Sequence, residues 1–209
     1  MRVVRPSFEI VGDINPEKML KNIEKAGRLC YKSEDRITDT SAGKFIANIV
    51  KRGHEAVIEH ESLSVIITCD RGVSHEIVRH RMASYCQEST RYCNYSDEKF
   101  GNELTFIKPL FWVENSEQYR IWETLMREIE QTYNNMISIG ATPEQARSIL
   151  PNSLKTEIMV TMNLREWRHF FKVRTPKFAH PQMREIAIPI LKHFKELLPV
   201  VFSDIDIEI

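Results

Sequence analysis

The sequence has few glycines and no net charge. Only seven of its 209 residues are glycine, and neither a G-x-G-x-x-G nor a G-x-x-x-x-G-K pattern occurs. Without a glycine-rich loop that offers backbone N–H groups, side chains would have to do much of the work of holding a phosphate ligand. The 29 basic and 29 acidic side chains cancel. This balance argues against a general nucleic-acid-binding protein, because such proteins are usually basic overall.

Cysteine pairs and long hydrophobic runs are also absent. The four cysteines, Cys30, Cys69, Cys86 and Cys93, include no C-x-x-C pair, so we expect reduced thiols in a cytoplasmic protein. The opening stretch MRVVRPSFEIVGD contains no long apolar run and predicts no signal peptide. No 18 consecutive residues are apolar, so no membrane span is predicted. We therefore expect neither nucleic acid nor a membrane among the partners.

Hydrophobic spacing and end-capping residues predict an α+β protein. Helices are predicted at about residues 16–30, 42–52, 72–82, 116–139, 142–150, 164–173 and 181–198. Strands are predicted at about 3–11 with a break at Pro6, and at 62–69, 104–107 and 155–163. Trp122 falls on the apolar stripe of the longest predicted helix and is assigned to the core. Because no repeat, low-complexity segment or linker divides the chain, one domain over residues 1–209 is the simplest organisation.

Positive charge is concentrated in two stretches of this neutral chain. Four arginines face two acids between Arg71 and Tyr92, and four cations face one acid between Asn163 and Arg174. Such patches suggest bound anions, because the planar arginine fork matches phosphate oxygens. Solvated helix faces with surface ion pairs are the alternative, since charge patterning is a weak indicator. If residues 72–82 are helical, Arg79 and Arg81 lie on different faces and would contact different groups.

The segment RHRMASYCQESTRY carries the most specific pattern in the chain. It contains Arg79-His80-Arg81 and, after seven intervening residues, Ser89-Thr90-Arg91-Tyr92. Other blocks accompany it in order: His54-Glu55, Glu59-His60, Ala146-Arg147, Leu150-Pro151, Asn163-Leu164-Arg165 and Arg174. This ordered set, over roughly residues 50 to 190, resembles the flavin-dependent thymidylate synthases.

The resemblance implies an enzyme of de novo dTMP biosynthesis. Members of the family methylate dUMP to dTMP, with 5,10-methylenetetrahydrofolate as the carbon donor, NADPH as the reductant and FAD as the cofactor that relays the hydride. The resemblance also implies a mixed α/β fold, with a mainly antiparallel sheet flanked by helices. It further implies a homotetramer whose active sites are each shared between subunits.

Carried over position by position, the resemblance assigns residues to two ligands. The expected flavin contacts are His54, Arg79, His80, Arg81, Gln87, Asn163, Arg165 and His169. The expected dUMP contacts are Glu76, Arg79, Gln87, Ser89, Thr90, Arg91, Arg147 and Arg174. Arg174 is also the expected catalytic residue, because a guanidinium that stays protonated can stabilise the anion formed when uracil N3 loses its proton.

Two positions depart from the pattern of the family. Gln87 stands where some members have glutamate, and Glu76 stands where a glutamine occurs. An acid beside a bound phosphate would repel it, so the contribution of Glu76 is open. The segment 175–182 is hard to align, and whether His180 is a flavin-side histidine is open as well.

Several side chains allow other interpretations. Cys86 lies inside the motif and could be a nucleophile, but free cysteine is often a small buried hydrophobe. Ser89 could be a nucleophile, although a hydrogen bond to a ligand is favoured because an unactivated hydroxyl reacts poorly. His54 and His60 are six residues apart rather than four, so they do not form an H-E-x-x-H site, and no metal is expected.

Two other functions compete with the synthase. A non-catalytic nucleotide or RNA binder would use the two basic stretches, and its affinity would fall steeply with salt. A flavin-dependent NADPH oxidase or flavin reductase would keep the flavin but no longer use folate. The sequence does not separate this enzyme from the synthase, because no motif marks the folate site.

Overall fold

A computed structural model describes residues 1–207 of the chain. These residues form two compact units, and the chain enters each unit more than once. The first unit comprises Met1–Ser7, Ile67–Arg79 and Cys86–Ile158, and the second comprises Phe8–Ile66, His80–Tyr85 and the chain from Met159 onwards. The single domain over 1–209 stays a prediction, and its last two residues lie outside the described residues.

Helices and strands are interspersed along the chain, as expected for a mixed α/β protein. The strands are β1 (Arg2–Val4), β2 (Ser7–Val11), β3 (Ser62–Asp70), β4 (Ala83–Gln87), β5 (Thr105–Ile107) and β6 (Lys155–Asn163). The helices are α1 (Pro16–Cys30), α2 (Ser41–Lys51), α3 (Arg71–Ile77), α4 (Glu117–Ser138), α5 (Pro143–Ala146), α6 (Leu164–Arg174), α7 (Pro181–Leu197) and α8 (Pro199–Phe202). Short 3-10 turns cover Glu34–Arg36, Glu55–His60, Glu98–Phe100 and Arg147–Ile149.

The strands form two sheets. The larger has the order β2-β3-β6-β4, and β1 pairs with β5 in parallel. Strands β3 and β6 run antiparallel. The Ser64 hydroxyl, near the start of β3, lies 2.8 Å from that of Thr161 near the end of β6. Arg71, just past the end of β3, donates its N–H to the carbonyl of Leu154, just before β6. The predicted antiparallel sheet with helices is thus confirmed.

Capping side chains fix where several helices begin. Asn15 accepts a hydrogen bond from the Lys18 N–H at 2.9 Å, with proline at the first position of α1. Thr142 and Gln145 form the capping box that the sequence predicts before α5. Such side chains satisfy backbone N–H groups that have no partner within the helix.

An aromatic cluster forms the core of the second unit. Trp167 and Phe171 of α6 pack against Phe194 of α7 and Phe202 of α8, with ring centroids 5.2 to 5.9 Å apart. The Trp167 indole N–H also donates to the Leu63 carbonyl at 3.0 Å. This bond and the aromatic contacts fix α6 against β3, and so they position the residues at the start of α6.

The long helix α4 provides the core of the first unit. Trp122, Met126 and Tyr133 are buried along one face of the helix, and Phe106 and Leu154 belong to the same cluster. The core position predicted for Trp122 is confirmed. Among residues 1–207, no helix combines the length and the apolar composition needed to cross a bilayer.

The predicted helix over 72–82 is wrong in its second half. Helix α3 ends at Ile77, its last buried apolar residue. Arg79, His80 and Arg81 therefore lie in a non-helical connection, and the expectation that two arginines occupy different helix faces no longer applies. The connection leads into β4, which the sequence did not predict. Sheet pairing with β6 overrides the weak local pattern there, since strand preference depends strongly on context.

Candidate functional site

The imidazole of His80 is the centre of a hydrogen-bonded group in the second unit. His80 is buried, and its Nδ1 lies 3.2 Å from Oε1 of Glu166. On the other side of the ring, Nε of Arg174 donates to Nε2 of His80 at 3.1 Å. A guanidinium can only donate, so Nε2 must be the acceptor and the proton of a neutral ring must reside on Nδ1. Glu166 accepts that proton's hydrogen bond.

The charge state of His80 agrees with this geometry. Burial lowers the pKa of His80, and the Arg174 charge lowers it further, whereas Glu166 raises it. The net shift is downward from the ordinary value of 6.5. At neutral pH the ring is therefore uncharged and remains an acceptor for Arg174.

The start of α6 places Glu166 beside His80. Asn163 is the N-cap of α6, and its Oδ1 accepts the Glu166 N–H at 2.8 Å. The Leu164 N–H donates to the Glu61 carbonyl at 2.9 Å, which attaches the helix start to the neighbouring turn. Glu166 was not predicted as a site residue, although the N-x-x-E pattern at 163–166 is a capping signal that could have indicated it.

Tyr85 supports His80 through the backbone. Its hydroxyl donates to the His80 carbonyl. Burial raises the pKa of Tyr85 to about 12, so the phenol stays protonated and remains a donor at neutral pH. Tyr85 was not singled out in the sequence, because nothing local distinguishes it from other strand tyrosines.

A cavity of about 430 Å³ lies next to this group in the second unit. Asn163, Arg165 and His169, three of the residues expected to contact flavin, line the cavity together with Glu166 and Met82. The His169 ring packs edge-on against His80, with the centroids 5.6 Å apart. His54 lines a different cavity of the same unit.

A metal is not the natural occupant of this group. Ligand atoms of His80, Glu166 and His169 lie within 4.8 Å of one another. However, both ring nitrogens of His80 are already engaged, one of them by the cationic Arg174 at 3.1 Å. A metal cation would meet a fixed positive charge at short range. The absence of a metal stays a prediction.

The basic stretch in α6 is less available to ligands than its composition suggests. Arg168 is buried, with its guanidinium bound to both carboxylate oxygens of Asp204 at 2.6 and 2.7 Å and to Glu55 at 2.9 Å. These two carboxylates occupy the Arg168 guanidinium, which is therefore not available to an anionic ligand. Arg165 is half exposed and pairs with Glu59 at the surface. Exposed pairs of this kind are weak and exchange easily.

The residues expected to bind dUMP lie mainly in the first unit. That unit contains Glu76, Arg79, Gln87, Ser89, Thr90, Arg91 and Arg147. Of the full predicted site, the second unit contains His54, His80, Arg81, Asn163, Arg165, His169 and Arg174. Arg79 and Gln87, which the resemblance assigns to both ligands, lie in the first unit. The residues assigned to flavin alone lie in the second unit, and those assigned to dUMP alone lie in the first. Arg174 is the exception on the nucleotide side.

Protein groups already contact several of the first-unit residues. The Gln87 amide donates to the hydroxyls of Ser74 at 2.9 Å and Thr156 at 3.1 Å, which holds its side chain in place. The Ser89 hydroxyl accepts the Arg91 N–H at 3.3 Å. The Arg91 guanidinium forms an exposed pair with Glu144 at 3.2 Å. Thr90 is buried, whereas the side chains of Arg79, Arg81 and Arg147 are exposed.

Glu88, like Glu166 and Tyr85, is a residue that the sequence analysis did not indicate. It accepts hydrogen bonds from the Tyr95 hydroxyl at 2.9 Å and from the Lys155 ammonium at 3.0 Å. Its N–H donates to the Glu157 carbonyl at 2.9 Å. These contacts fix the backbone immediately before Ser89 and so position the segment that carries the motif.

Comparisons with known proteins show which proteins this chain resembles. The family model described as “Thymidylate synthase complementing protein” matches residues 14–200. A “Flavin-dependent thymidylate synthase” of Pyrococcus furiosus is 38% identical over 167 residues, which cover 79% of this chain and 68% of that protein. One of Geobacter sulfurreducens is 33% identical over 186 residues, with 86% and 78% covered. A crystal structure of “a UMP/dUMP methylase PolB from Streptomyces cacaoi bound with 5-Br dUMP” superposes with a TM-score of 0.78 at 21% identity, over 97% of this chain and 96% of that one. At that identity the likeness concerns the fold.

Proposed function

Because this chain belongs to the flavin-dependent thymidylate synthase family, we propose that it forms dTMP by reductive methylation of dUMP. FAD is the cofactor in this proposal, 5,10-methylenetetrahydrofolate the carbon donor and NADPH the reductant. The protein would act in de novo dTMP biosynthesis in the cytoplasm. The names of the relatives support the flavin and the product, and the dUMP-analogue complex of the structural neighbour supports the substrate.

One observation carries the proposal beyond family membership. The Arg174 guanidinium, expected to activate uracil, is hydrogen-bonded at 3.1 Å to the central histidine of the Arg79-His80-Arg81 motif. The expected catalytic residue and the expected flavin motif are thus in direct contact, although they are 94 residues apart in the chain.

The residues around the cavity suit a flavin. A flavin presents a planar ring with polar edges and, in FAD, an anionic pyrophosphate. The cavity offers the apolar Met82 side chain, the exposed His169 imidazole and the cations Arg165 and Lys172. The cations are paired with Glu59 and Glu55, but both pairs lie at the surface and would exchange readily for an anion. Bound flavin would supply hydride transfer, which no side chain can provide.

Arg174 has the properties that uracil activation requires. Its charge is permanent, and its Nε is fixed by His80, so the guanidinium needs little reorganisation when negative charge develops on uracil. Glu166 holds the imidazole of His80 in the tautomer that accepts from Arg174. His80 and Glu166 therefore act as positioning residues for the charge of Arg174.

The first unit supplies the groups proposed to bind the nucleotide. Arg91 and Arg147 would contact the phosphate, because exposed guanidinium forks match its oxygens. The Arg91–Glu144 pair is exposed and would be exchanged on binding. Ser89 would donate a hydrogen bond rather than act as a nucleophile, and Gln87 would present an amide that Ser74 and Thr156 already orient.

A homotetramer completes the proposal. Family resemblance implies that each active site takes residues from several subunits. Two exposed apolar side chains one turn apart on α4, Ile121 and Leu125, support contacts between copies of the chain.

The oxidase alternative is tested by product formation. Purified protein with FAD is mixed anaerobically with NADPH, dUMP and methylenetetrahydrofolate. A synthase bleaches the oxidised-flavin absorption faster when dUMP is present, and it accumulates dTMP. Flavin that is reduced without dTMP formation would favour the NADPH oxidase or flavin reductase.

An RNA-binding function is tested separately. A gel shift at low salt with single-stranded and duplex RNA should show no complex. Tight binding that weakens steeply with added salt would indicate phosphate contacts and would favour the non-catalytic binder.

A further inference from the structure

Of the residues predicted for the site, His54 alone is among the described lining residues of a second cavity in the second unit. Its volume is about 690 Å³, and α1, α2 and the 3-10 turns Glu34–Arg36 and Glu55–His60 contribute to its wall. Three arginines line it, Arg28, Arg36 and Arg52, and no aspartate or glutamate is among its described lining residues. In a chain with no net charge, such a wall is suited to an anion.

Arg28 is a fixed part of this wall. Its guanidinium donates to the buried carboxylate of Glu24 at 3.0 and 3.2 Å and lies 4.5 Å over the ring of Phe45. Glu24 also accepts a hydrogen bond from the Ser41 hydroxyl at 2.7 Å. The charge of Arg28 is therefore compensated, and its role in the cavity is to shape the wall.

Arg36 and Arg52 are the uncompensated cations of the cavity. Both side chains are exposed, and neither forms an ion pair with any residue between 1 and 207. Each offers a planar fork of N–H donors that fits two phosphate oxygens at once. Together they leave the cavity with an excess of positive charge.

The same wall offers flat aromatic surface. A Cβ atom on Gly27 would lie only 2.6 Å from Cε1 of Phe45, so the ring of Phe45 packs directly on the backbone of α1. A glycine inside a helix is destabilising relative to alanine, and here it makes room for that ring. Tyr31 adds an exposed ring, and the Asn48 amide can both donate to and accept from a base edge. The Phe45 ring is already covered by Arg28 and α1, so the exposed Tyr31 ring is the surface on which a heteroaromatic ring can stack.

The short segment from His54 through the 3-10 turn Glu55–His60 borders both cavities of this unit. His54, Ala56 and Val57 line the second cavity, whereas Glu55 and Glu59 line the first. A ligand in the second cavity would thus lie beside the same turn that borders the proposed flavin site.

We propose that the second cavity binds the phosphorylated adenosine half of the NADPH reductant. Arg36 and Arg52 contact its 2′-phosphate, and the adenine stacks on the exposed Tyr31 ring. In an adenosine phosphate, only the ribose separates the phosphate dianion from the adenine ring. Such a ligand suits a cavity whose wall contains both arginine guanidinium groups and aromatic rings. A folate carries its carboxylates at the far end from its pteridine. This inference rests on the proposed function, because that function requires NADPH.

The test replaces the two uncompensated arginines and compares the two half-reactions. The variant is Arg36→Gln/Arg52→Gln, and the matched control is Lys44→Gln/Lys51→Gln, which removes two exposed charges from α2 outside the cavity. NADPH-driven flavin reduction is measured anaerobically against NADPH concentration. Thymidylate formation is measured separately after flavin reduction with dithionite, which bypasses NADPH. Calorimetry measures the affinity for 2′,5′-ADP alone.

The arginine variant should require at least about tenfold more NADPH for half-maximal flavin reduction and should bind 2′,5′-ADP correspondingly weakly. Its thymidylate yield after dithionite reduction should equal that of the control. Unchanged NADPH dependence and unchanged 2′,5′-ADP affinity would overturn the inference. So would a higher requirement for methylenetetrahydrofolate in place of NADPH. Wild-type protein that forms no thymidylate after dithionite reduction would contradict the proposed function instead, while the 2′,5′-ADP titration would still decide the cavity's ligand.

Discussion

At the scale of single residues, the proposed mechanism depends on the contact between the Arg174 guanidinium and the neutral imidazole of His80. Arg174 and His80 are both basic side chains, yet they lie 3.1 Å apart. The contact is stable only while His80 is uncharged, because two cations at that distance would repel. Burial and the Arg174 charge itself lower the pKa of His80 and so keep the ring neutral.

Replacing Arg174 with alanine should reduce thymidylate formation by at least about 100-fold, the loss typical when a fixed electrostatic donor is removed from an active site. The fold should persist, because Arg174 lies at the last residue of α6 and outside its aromatic core. Turnover is measured as dTMP formed per enzyme, with thermal unfolding as the check on folding. Lys192→Ala, an exposed cation on α7, is the control and should keep full activity. Near wild-type turnover in Arg174→Ala would refute the role of this residue.

Acid should destabilise the protein through His80. A histidine whose folded pKa is lowered stabilises the fold above its unfolded pKa of 6.5, and that contribution is lost as pH falls below 6.5 towards the folded value. His80→Gln cannot titrate but keeps an acceptor for Arg174. We expect the free energy of unfolding, from urea titrations between pH 5 and 8, to decline less steeply below pH 6.5 in His80→Gln than in the wild type. Equal slopes would show that His80 is not the titrating group.

At the scale of elements, the start of α6 combines a structural and a ligand-binding task. Asn163 caps the helix by accepting the Glu166 N–H, and it also lines the proposed flavin cavity. Cap and ligand roles are separable because aspartate caps helices as well as asparagine, whereas alanine does not.

Two substitutions of Asn163 should therefore behave differently. Asn163→Ala should lower the free energy of unfolding by about 1 kcal/mol. Asn163→Asp should keep the stability but weaken FAD binding, because it adds a negative charge and removes an N–H donor beside the cavity. Unfolding titrations and FAD titrations followed by flavin fluorescence measure the two effects. Unchanged FAD affinity in Asn163→Asp would restrict Asn163 to the capping role.

Elements with strong local signals were predictable from the sequence. The bounds of β6 agree with the prediction, and the Asn15 and Thr142 caps occur where expected. Strand β4 was missed because its residues, Ala83–Gln87, form a strand only through pairing with distant β6. Non-local pairing leaves no local signal.

The candidate site was predictable only in part, for the same reason. The family resemblance assigned His80, Asn163, His169 and Arg174, which all lie in one unit of the structure. Glu166 and Tyr85, which orient His80, were missed: Glu166 carries only the N-x-x-E capping signal, and Tyr85 carries no local signal. Arg168 was counted with the ligand-binding cations because composition alone cannot show that its side chain is buried and paired with Asp204.

At the scale of the whole molecule, the proposal predicts a homotetramer. Ile121 and Leu125 are 66% and 50% exposed on the long helix α4. Neighbouring exposed apolar side chains can form a contiguous patch, and such patches mark contacts between proteins when they are large. A mass measurement in solution by light scattering should give four times the chain mass of 24.5 kDa.

A charge on that surface should disturb assembly. Ile121→Lys should shift the protein towards smaller species and lower its activity, because burying an unpaired ammonium in an interface is costly. Gln131→Lys, on another exposed face of α4, is the matched control and should stay tetrameric. An unaltered mass in Ile121→Lys would exclude this face of α4 from the assembly.

The most direct test of the central claim is the ratio of thymidylate formed to NADPH oxidised. Purified protein is loaded with FAD and supplied anaerobically with dUMP, methylenetetrahydrofolate and NADPH, and both quantities are followed over time. The account predicts one dTMP for each NADPH consumed, and no dTMP when dUMP or the folate is left out. NADPH consumption without any thymidylate would contradict it and would identify the protein as a flavin reductase or oxidase.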